Sequence, residues 1–291
     1  MGFLRHSYRV VIDAYWLFQD DDGWAIASHI ALSALMALFP FLIVLTAFAG
    51  VVGSQALADT AAQILLEAWP KEVAGPITSE INSVLTEAHS GVVTIGVALA
   101  VYFSSSGVES LRIGLNRAYD IKESRSWWLL RLESIAYVLI GAVALIALSF
   151  FVILGPLIFN KMLRYAPWLA PFENMVTFAR LGAASLVLII TLVLIHLWLP
   201  AGRRRLWEIA PGIVATLLLW LAGGALFGRY LADFADTYVT YYAGLASAMI
   251  ALVFLYYSAC IFLYGGELNA EIAKARDMAR SQRASRPPET V

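Results

Sequence analysis

Long stretches of this chain carry no Asp, Glu, Lys or Arg. They cover residues 23–58, 88–108, 134–160, 181–202, 209–228 and 237–266. Each is at least 20 residues long and rich in Leu, Val, Ile, Ala and aromatics. A helix rises about 1.5 Å per residue, so about 20 apolar residues cross a hydrocarbon layer about 30 Å thick. Backbone N–H and C=O groups cannot stay unpaired in lipid, and uniformly apolar runs of this length are helices, not the alternating strands of a barrel. The pattern predicts an all-α integral membrane protein with six transmembrane helices plus short amphipathic interfacial helices.

The segments between the windows supply the amphipathic pieces. In residues 54–90, Leu57, Ala61, Ile64, Leu65 and Trp69 recur at helical spacing before Pro70, and Val73, Ile77, Ile81, Val84, Leu85 and Ala88 do so after it. Two short helices on the outer leaflet are expected there, as a solvated cap or as a lid over a cavity. After Ser104-Ser105-Ser106-Gly107 the second span is expected to bend. Glu109, Arg112 and Asn116 then share one face, opposite Val108, Leu111 and Leu115. The organisation expected is an N-terminal tail over 1–22, a six-helix domain over 23–273 and a C-terminal tail over 274–291. The last part, after Asp277, is polar and basic and is expected to fray.

Charge orients the bundle. Of the 20 Lys and Arg residues, fifteen fall on the side that holds both termini, among them Arg112, Arg117 and the run Arg203-Arg204-Arg205. The opposite side holds Lys71, Lys161, Arg164, Arg180 and Arg229. The positive-inside rule places the termini in the cytoplasm. Trp127, Trp128, Trp198 and Trp207 stand at window ends, where indole rings anchor at the headgroup level. Arg5 and Arg9 make a basic start, but Asp13 and Asp20-Asp21-Asp22 follow, so residues 1–22 read as a retained tail, partly an amphipathic helix, and not as a signal peptide.

Composition agrees: 60% of residues are hydrophobic and 14% charged, against about 25% charged in an average soluble domain. The net charge of −1 gives no global field for nucleic acid. The single cysteine, Cys260, lies in an apolar run and reads as a buried, inert thiol.

Polar groups within spans are the candidate functional residues. His29 lies in the first window with Ser33 and Pro40 on about the same face; it is a satisfied neutral histidine or a proton-sensing contact. His196 falls at the end of the fourth and is expected at the interface. In the last span Tyr256, Cys260, Tyr264, Glu267 and Glu271 form a stripe, with Lys274 in reach of Glu271. Glu267 and Asn269 are either ordinary residues of a helix leaving the membrane or partners of the Arg112–Asn116 face at the mouth of a cavity. Gly224 and Gly228 form a GxxxG pattern expected to bring helices close.

Enzyme signatures are missing. The histidines His6, His29, His89 and His196 show none of the usual zinc spacings, so no metal ligand is assigned. There is no GxxxxGK[ST] phosphate loop and no GxSxG nucleophile turn. No catalytic residue and no cofactor is assigned, and the chain is read as a non-enzyme.

From about Tyr15 to Ala273 the chain resembles the YihY/BrkB family of bacterial inner-membrane proteins. The resemblance rests on Ala31 to Pro40 followed by Gly50, on Ser104-Ser105-Ser106-Gly107 leading to Leu111 and Asn116-Arg117, on Pro211-Gly212, and on Gly266-Glu267-Leu268-Asn269-Ala270-Glu271. Where the family usually has a Tyr-Gly pair before the last span, this chain reads Tyr241-Tyr242-Ala243-Gly244. The resemblance implies six membrane helices and an inner-membrane location. Members have been linked to serum resistance, and a relative to export of a lipopolysaccharide precursor. The old family label of ribonuclease finds no support in these residues, which offer neither a nuclease metal cluster nor a sizeable soluble domain.

The function expected first is transport or binding of a membrane lipid or other amphiphile, such as an anionic lipid or a lipopolysaccharide precursor. Arg112 and Arg117 would attract its headgroup, with Glu109, Asn116, Glu267 and Asn269 around them and His29 as a proton sensor. A non-transporting scaffold for envelope partners is the second reading, and an intramembrane lipid-modifying enzyme the third.

Overall fold

The computed structural model describes residues 2–52, 90–151, 155–242 and 246–284. The predicted outer helices of 54–90 lie outside these residues, apart from Ser90. The described elements are helical, in the order α1 (Gly2–Asp20), α2 (Gly23–Val52), α3 (Ser90–Ala118), α4 (Trp127–Ser149), α5 (Gly155–Tyr165), a 3-10 helix (Pro167–Phe172), α6 (Glu173–Trp198), α7 (Leu206–Tyr242) and α8 (Ala246–Ala284). Five stretches are long and apolar enough to cross a membrane: Thr94–Ala118, Trp127–Ala144, Pro167–Trp198, Leu206–Asp233 and Ala248–Met278. They correspond to the second through sixth predicted spans. The first opens in α2, where Gly23–Ala37 is a shorter apolar stretch.

The long helices close a ring. Helix α2 packs on α3, α3 on α4, α4 on α6, α6 on α7, α7 on α8, and α8 back on α2, with α1 laid against α8. Many outward side chains are large and apolar: Leu221 is 74% exposed, Phe178 77% and Val143 67%. Water would not tolerate so continuous an apolar exterior, whereas lipid requires it. The chain is an integral membrane protein.

One end of the ring gathers the α1–α2 turn, the α3–α4 loop, the α6–α7 loop and the emerging end of α8; it is called the basic end here. The buried cluster lies close to it and joins Phe18, Leu115, Leu199, Ile209, Ile213 and Leu263. Two turns there use aspartate in the left-handed region, Asp22 at φ 57° and Asp120 at φ 50°. The second closes a Schellman motif, since Ile121 N–H donates to Asn116 C=O at 2.9 Å and Asp120 N–H to Arg117 C=O at 2.8 Å.

Further details bear on the expectations. Helix α1 takes up nearly the whole N-terminal tail and is amphipathic: Ala14 and Phe18 bury one face of it while Tyr8 and Trp16 stay exposed. Helix α3 is continuous across Ser104–Gly107, where Ser105 and Ser106 return their hydroxyls to the Tyr102 carbonyl, a back-bonding that favours the expected bend without breaking the helix. Helix α8 continues beyond Asp277 to Ala284, supported by the Lys274–Glu271 pair at 3.0 Å and by good helix formers. Close packing uses other glycines than expected. Among the described residues nothing approaches a Cβ built on Gly224 or Gly228, whereas one on Gly212 would collide with the Gly265 carbonyl and the Asn269 side chain.

Candidate functional site

Three arginines and three glutamates alternate along α3, the α3–α4 loop and α4. Arg131 meets Glu109 at 3.3 Å, Glu109 meets Arg112 at 3.2 Å, and Arg112 meets Glu123 at 3.8 Å. Glu123 then meets Arg125 at 2.8 Å, and Arg125 meets Glu133 at 2.7 Å. The Arg125–Glu123 contact is a two-pronged fork, with Nε on Oε1 and Nη2 on Oε2. That fork holds the Glu123 carboxyl down at about 2, and Glu123 in turn raises the Arg125 guanidinium. Arg125 also donates to the Leu199 carbonyl at the end of α6, tying the loop across the ring.

Arg112 is buried, 3% exposed, and turned toward α4, where its Nη1 reaches the Leu130 carbonyl at 3.4 Å and Ser134 Oγ at 3.5 Å. Asn116 donates to Glu123 at 3.2 Å and accepts the Ala201 N–H at 2.7 Å. Arg117 stands apart and pairs with Asp22 at 2.8 Å, both groups largely exposed.

Among the described residues no hydrogen bond or ion pair links Glu267 or Asn269 directly to Arg112 or Asn116, a link that the second of the two readings required. The helical face that carries Arg112 looks at α4, on the far side of α3 from α8. Asn269 instead closes the α7–α8 crossing, accepting Gly212 N–H at 2.6 Å and donating to Tyr119 Oη at 3.4 Å. Glu267 approaches Asp21 in the α1–α2 turn. The two groups meet only through intermediaries. Tyr119 lies beneath the Arg204 guanidinium, 3.7 Å from ring centroid to Cζ, and Arg204 donates to the Ala201 carbonyl, next to the N–H taken by Asn116. Burial raises the Tyr119 phenol and lowers the Arg204 guanidinium.

His29 bonds to Ser110 across α2 and α3, with Nδ1 and Oγ 2.6 Å apart, and has a longer 3.5 Å contact with Ser33. His196 lies in the last turn of α6. It is fully buried, packed 4.8 Å from Phe262 between ring centroids, with Nδ1 on the Leu192 carbonyl at 3.0 Å. Its face of α6 turns toward α8, a rotation that hydropathy alone does not determine.

A cavity of about 480 Å³ opens at the basic end between the α3–α4 loop and the end of α6 with the α6–α7 loop. Glu123, Arg125, Trp198, Ala201, Arg203 and Arg204 are among its lining residues. Arg204 Nη1 is itself buried, without a hydrogen-bond partner among the described residues. Sequence reading took Arg203-Arg204-Arg205 only as a marker of orientation and did not single out Asp21, Glu123 or Tyr119. The signal in sequence was the crowding of charge beside span ends. Among the described residues no group of three or more His, Cys, Asp or Glu is placed to hold a metal ion.

No solved structure matches the chain significantly. The putative ribonuclease-like protein YfkH of Bacillus subtilis is 23% identical over 257 residues, covering 88% of this chain and 92% of that protein. A UPF0761 membrane protein of Rhodospirillum centenum is 26% identical over 279 residues, which is 95% of this chain but 58% of the longer relative. The family model described as Virulence factor BrkB matches residues 14–290, from α1 to the C-terminal tail. A match of that extent takes in the ring, the arginine–glutamate ladder and the basic end together, and the chain belongs to the BrkB family of membrane proteins.

Proposed function

We propose that this protein is a transporter-like component of a bacterial inner membrane that binds an amphiphile with an anionic headgroup and moves it across the bilayer. The observation that carries the reading is the cavity at the basic end, with Arg125, Arg203 and Arg204 in its wall. Basic pockets between membrane helices suit phosphate-bearing headgroups, and arginine offers a planar fork for phosphate oxygens. Trp198 beside the cavity lies at the level where a headgroup meets its acyl chains. A phosphate-bearing anionic lipid and a lipopolysaccharide precursor share this chemistry. By the positive-inside rule the basic end and both termini face the cytoplasm. The reading needs no chemical conversion of the ligand.

It moves the expected cationic contacts. Arg112 is neutralised by Glu109 and Glu123, and Arg117 by Asp22. Arg203 and Arg204 become the headgroup ligands, while Arg112 positions the loop that carries Glu123.

The test is native mass spectrometry of protein purified in mild detergent, comparing wild type with an Arg203→Ala/Arg204→Ala variant. Enrichment of one anionic lipid class in wild type and its loss in the variant supports the reading. The same bulk-like lipid profile in both overturns it.

A further inference from the structure

Glu267 is 3% exposed, and no N–H or O–H donor from a described residue reaches its Oε2. The group facing it is a second carboxyl, Asp21, at hydrogen-bonding range from the α1–α2 turn. Two carboxylates have no hydrogen between them, and a hydrogen bond in this geometry requires one proton on the pair. We infer that Asp21 and Glu267 form a proton-binding site, a carboxyl–carboxylate pair sharing one proton, that latches the α1–α2 turn to α8 at the basic end.

The surroundings favour a proton over a second negative charge. The α1–α2 turn presents Asp20 and Asp22, the end of α3 presents Arg117, Tyr119 and Asp120, and α8 presents Glu271 and Lys274. Arg204 and Glu208 approach Tyr119 from the α6–α7 side. The two cations nearest the pair are committed elsewhere, Arg117 to Asp22 at 2.8 Å and Lys274 to Glu271 at 3.0 Å. An ionised pair would therefore set two like charges together, one of them on the buried Glu267. Burial also raises the Asp21 carboxyl, although Arg117 opposes that. The latch is well placed to act mechanically. Arg117 also donates to the Asp21 carbonyl at 3.1 Å, and Tyr264 Oη on α8 donates to the Val11 carbonyl of α1 at 3.1 Å. Loss of the proton sets Asp21 against Glu267 and drives the turn off α8, loosening α1 where three ring helices converge. The inference is independent of what the arginine-lined cavity binds.

The experiment is infrared spectroscopy of the full chain in lipid nanodiscs, titrated with pH, paired with hydrogen exchange of residues 15–30. Wild type should show a protonated-carboxyl band at neutral pH. Glu267→Gln and Asp21→Asn should each lose it, since an amide N–H then supplies the hydrogen bond to the remaining carboxylate. Exchange in the turn, corrected for intrinsic chemistry, should rise in wild type at alkaline pH and stay flat in Glu267→Gln. If wild type shows no such band, or if the band survives in either variant, there is no shared proton. If exchange in wild type does not change with pH, there is no latch. Should a variant fail to fold, the wild-type spectrum and exchange profile decide the matter alone.

Discussion

Asn269 on α8 accepts the backbone N–H of Gly212 on α7 at 2.6 Å, at a point where the two helices are too close for any side chain on either partner glycine. A Cβ on Gly212 would strike the Gly265 carbonyl, and one on Gly265 would strike Thr216 Oγ1 and the Gly212 backbone. Each glycine meets backbone of the other helix as well as a side chain, so a rotamer change alone cannot relieve the contact.

Gly212→Ala should therefore destabilise the protein by about 1–3 kcal/mol, the usual cost of overpacking. Gly224→Ala should leave stability unchanged or slightly raised, since open space surrounds that position and alanine is the better helix former. Thermal unfolding of the two variants in the same detergent separates them. Equal melting temperatures would show that the α7–α8 crossing is looser than described.

Arg112 should behave as a structural residue. Its removal leaves Glu109 and Glu123 without the guanidinium between them, and hydrogen bonds to charged groups contribute about 1.5–3 kcal/mol each. Arg112→Ala should lower the melting temperature and the yield of folded protein, and Arg112→Lys should recover only part, because an ammonium cannot span Glu109, Glu123 and the Leu130 carbonyl at once. A fully stable Arg112→Ala protein that has lost its co-purifying lipid would return the headgroup contact to Arg112.

What could be read from the sequence follows the physics of each signal. Charge-free windows report lipid burial directly, and the expected second through sixth spans match the five helices of spanning length. The i, i+3 pairs Glu109–Arg112 and Glu271–Lys274 follow from helical geometry and formed as spaced. Helix rotation about its own axis left no such mark. Of the two readings of Asn269, direct contact with the Arg112–Asn116 face did not form and it meets Gly212 instead; spacing likewise gave no sign that His196 packs on Phe262. Partners distant in sequence, such as Asp21 with Glu267 or Arg204 with Tyr119, depend on loop conformations that charge spacing does not encode.

The Glu123 fork gives a pH dependence with a definite sign. Its carboxyl lies at about 2 in the folded protein against an ordinary 4.5, so folding favours the ionised form. The stabilisation is present above the ordinary value and is lost as pH falls from there toward the folded value. Glu123→Gln should be less stable than wild type near neutrality, and the gap should close as the buffer is taken through that interval. Melting curves over an acid series check this, and a gap that stays constant or widens on acidification would contradict the assignment of the fork.

Tyr119 joins the cavity wall to the α7–α8 crossing, and its two contacts are unequal. The Arg204 guanidinium stacks on its ring at 3.7 Å, an interaction of about 2 kcal/mol when desolvated. Its hydroxyl takes only a long 3.4 Å hydrogen bond from Asn269. Tyr119→Phe keeps the stack and gives up the long bond, so it should cost less than about 1 kcal/mol and leave lipid retention unchanged. Tyr119→Ala removes the platform on which Arg204 rests. It should destabilise by about 3–5 kcal/mol through the lost ring, and it should release the bound lipid at a lower collision energy than Tyr119→Phe does. Paired melting and native mass spectrometry of the two variants test both halves. If Tyr119→Phe were as damaging as Tyr119→Ala, the hydroxyl would be the essential group and the stack on Arg204 incidental.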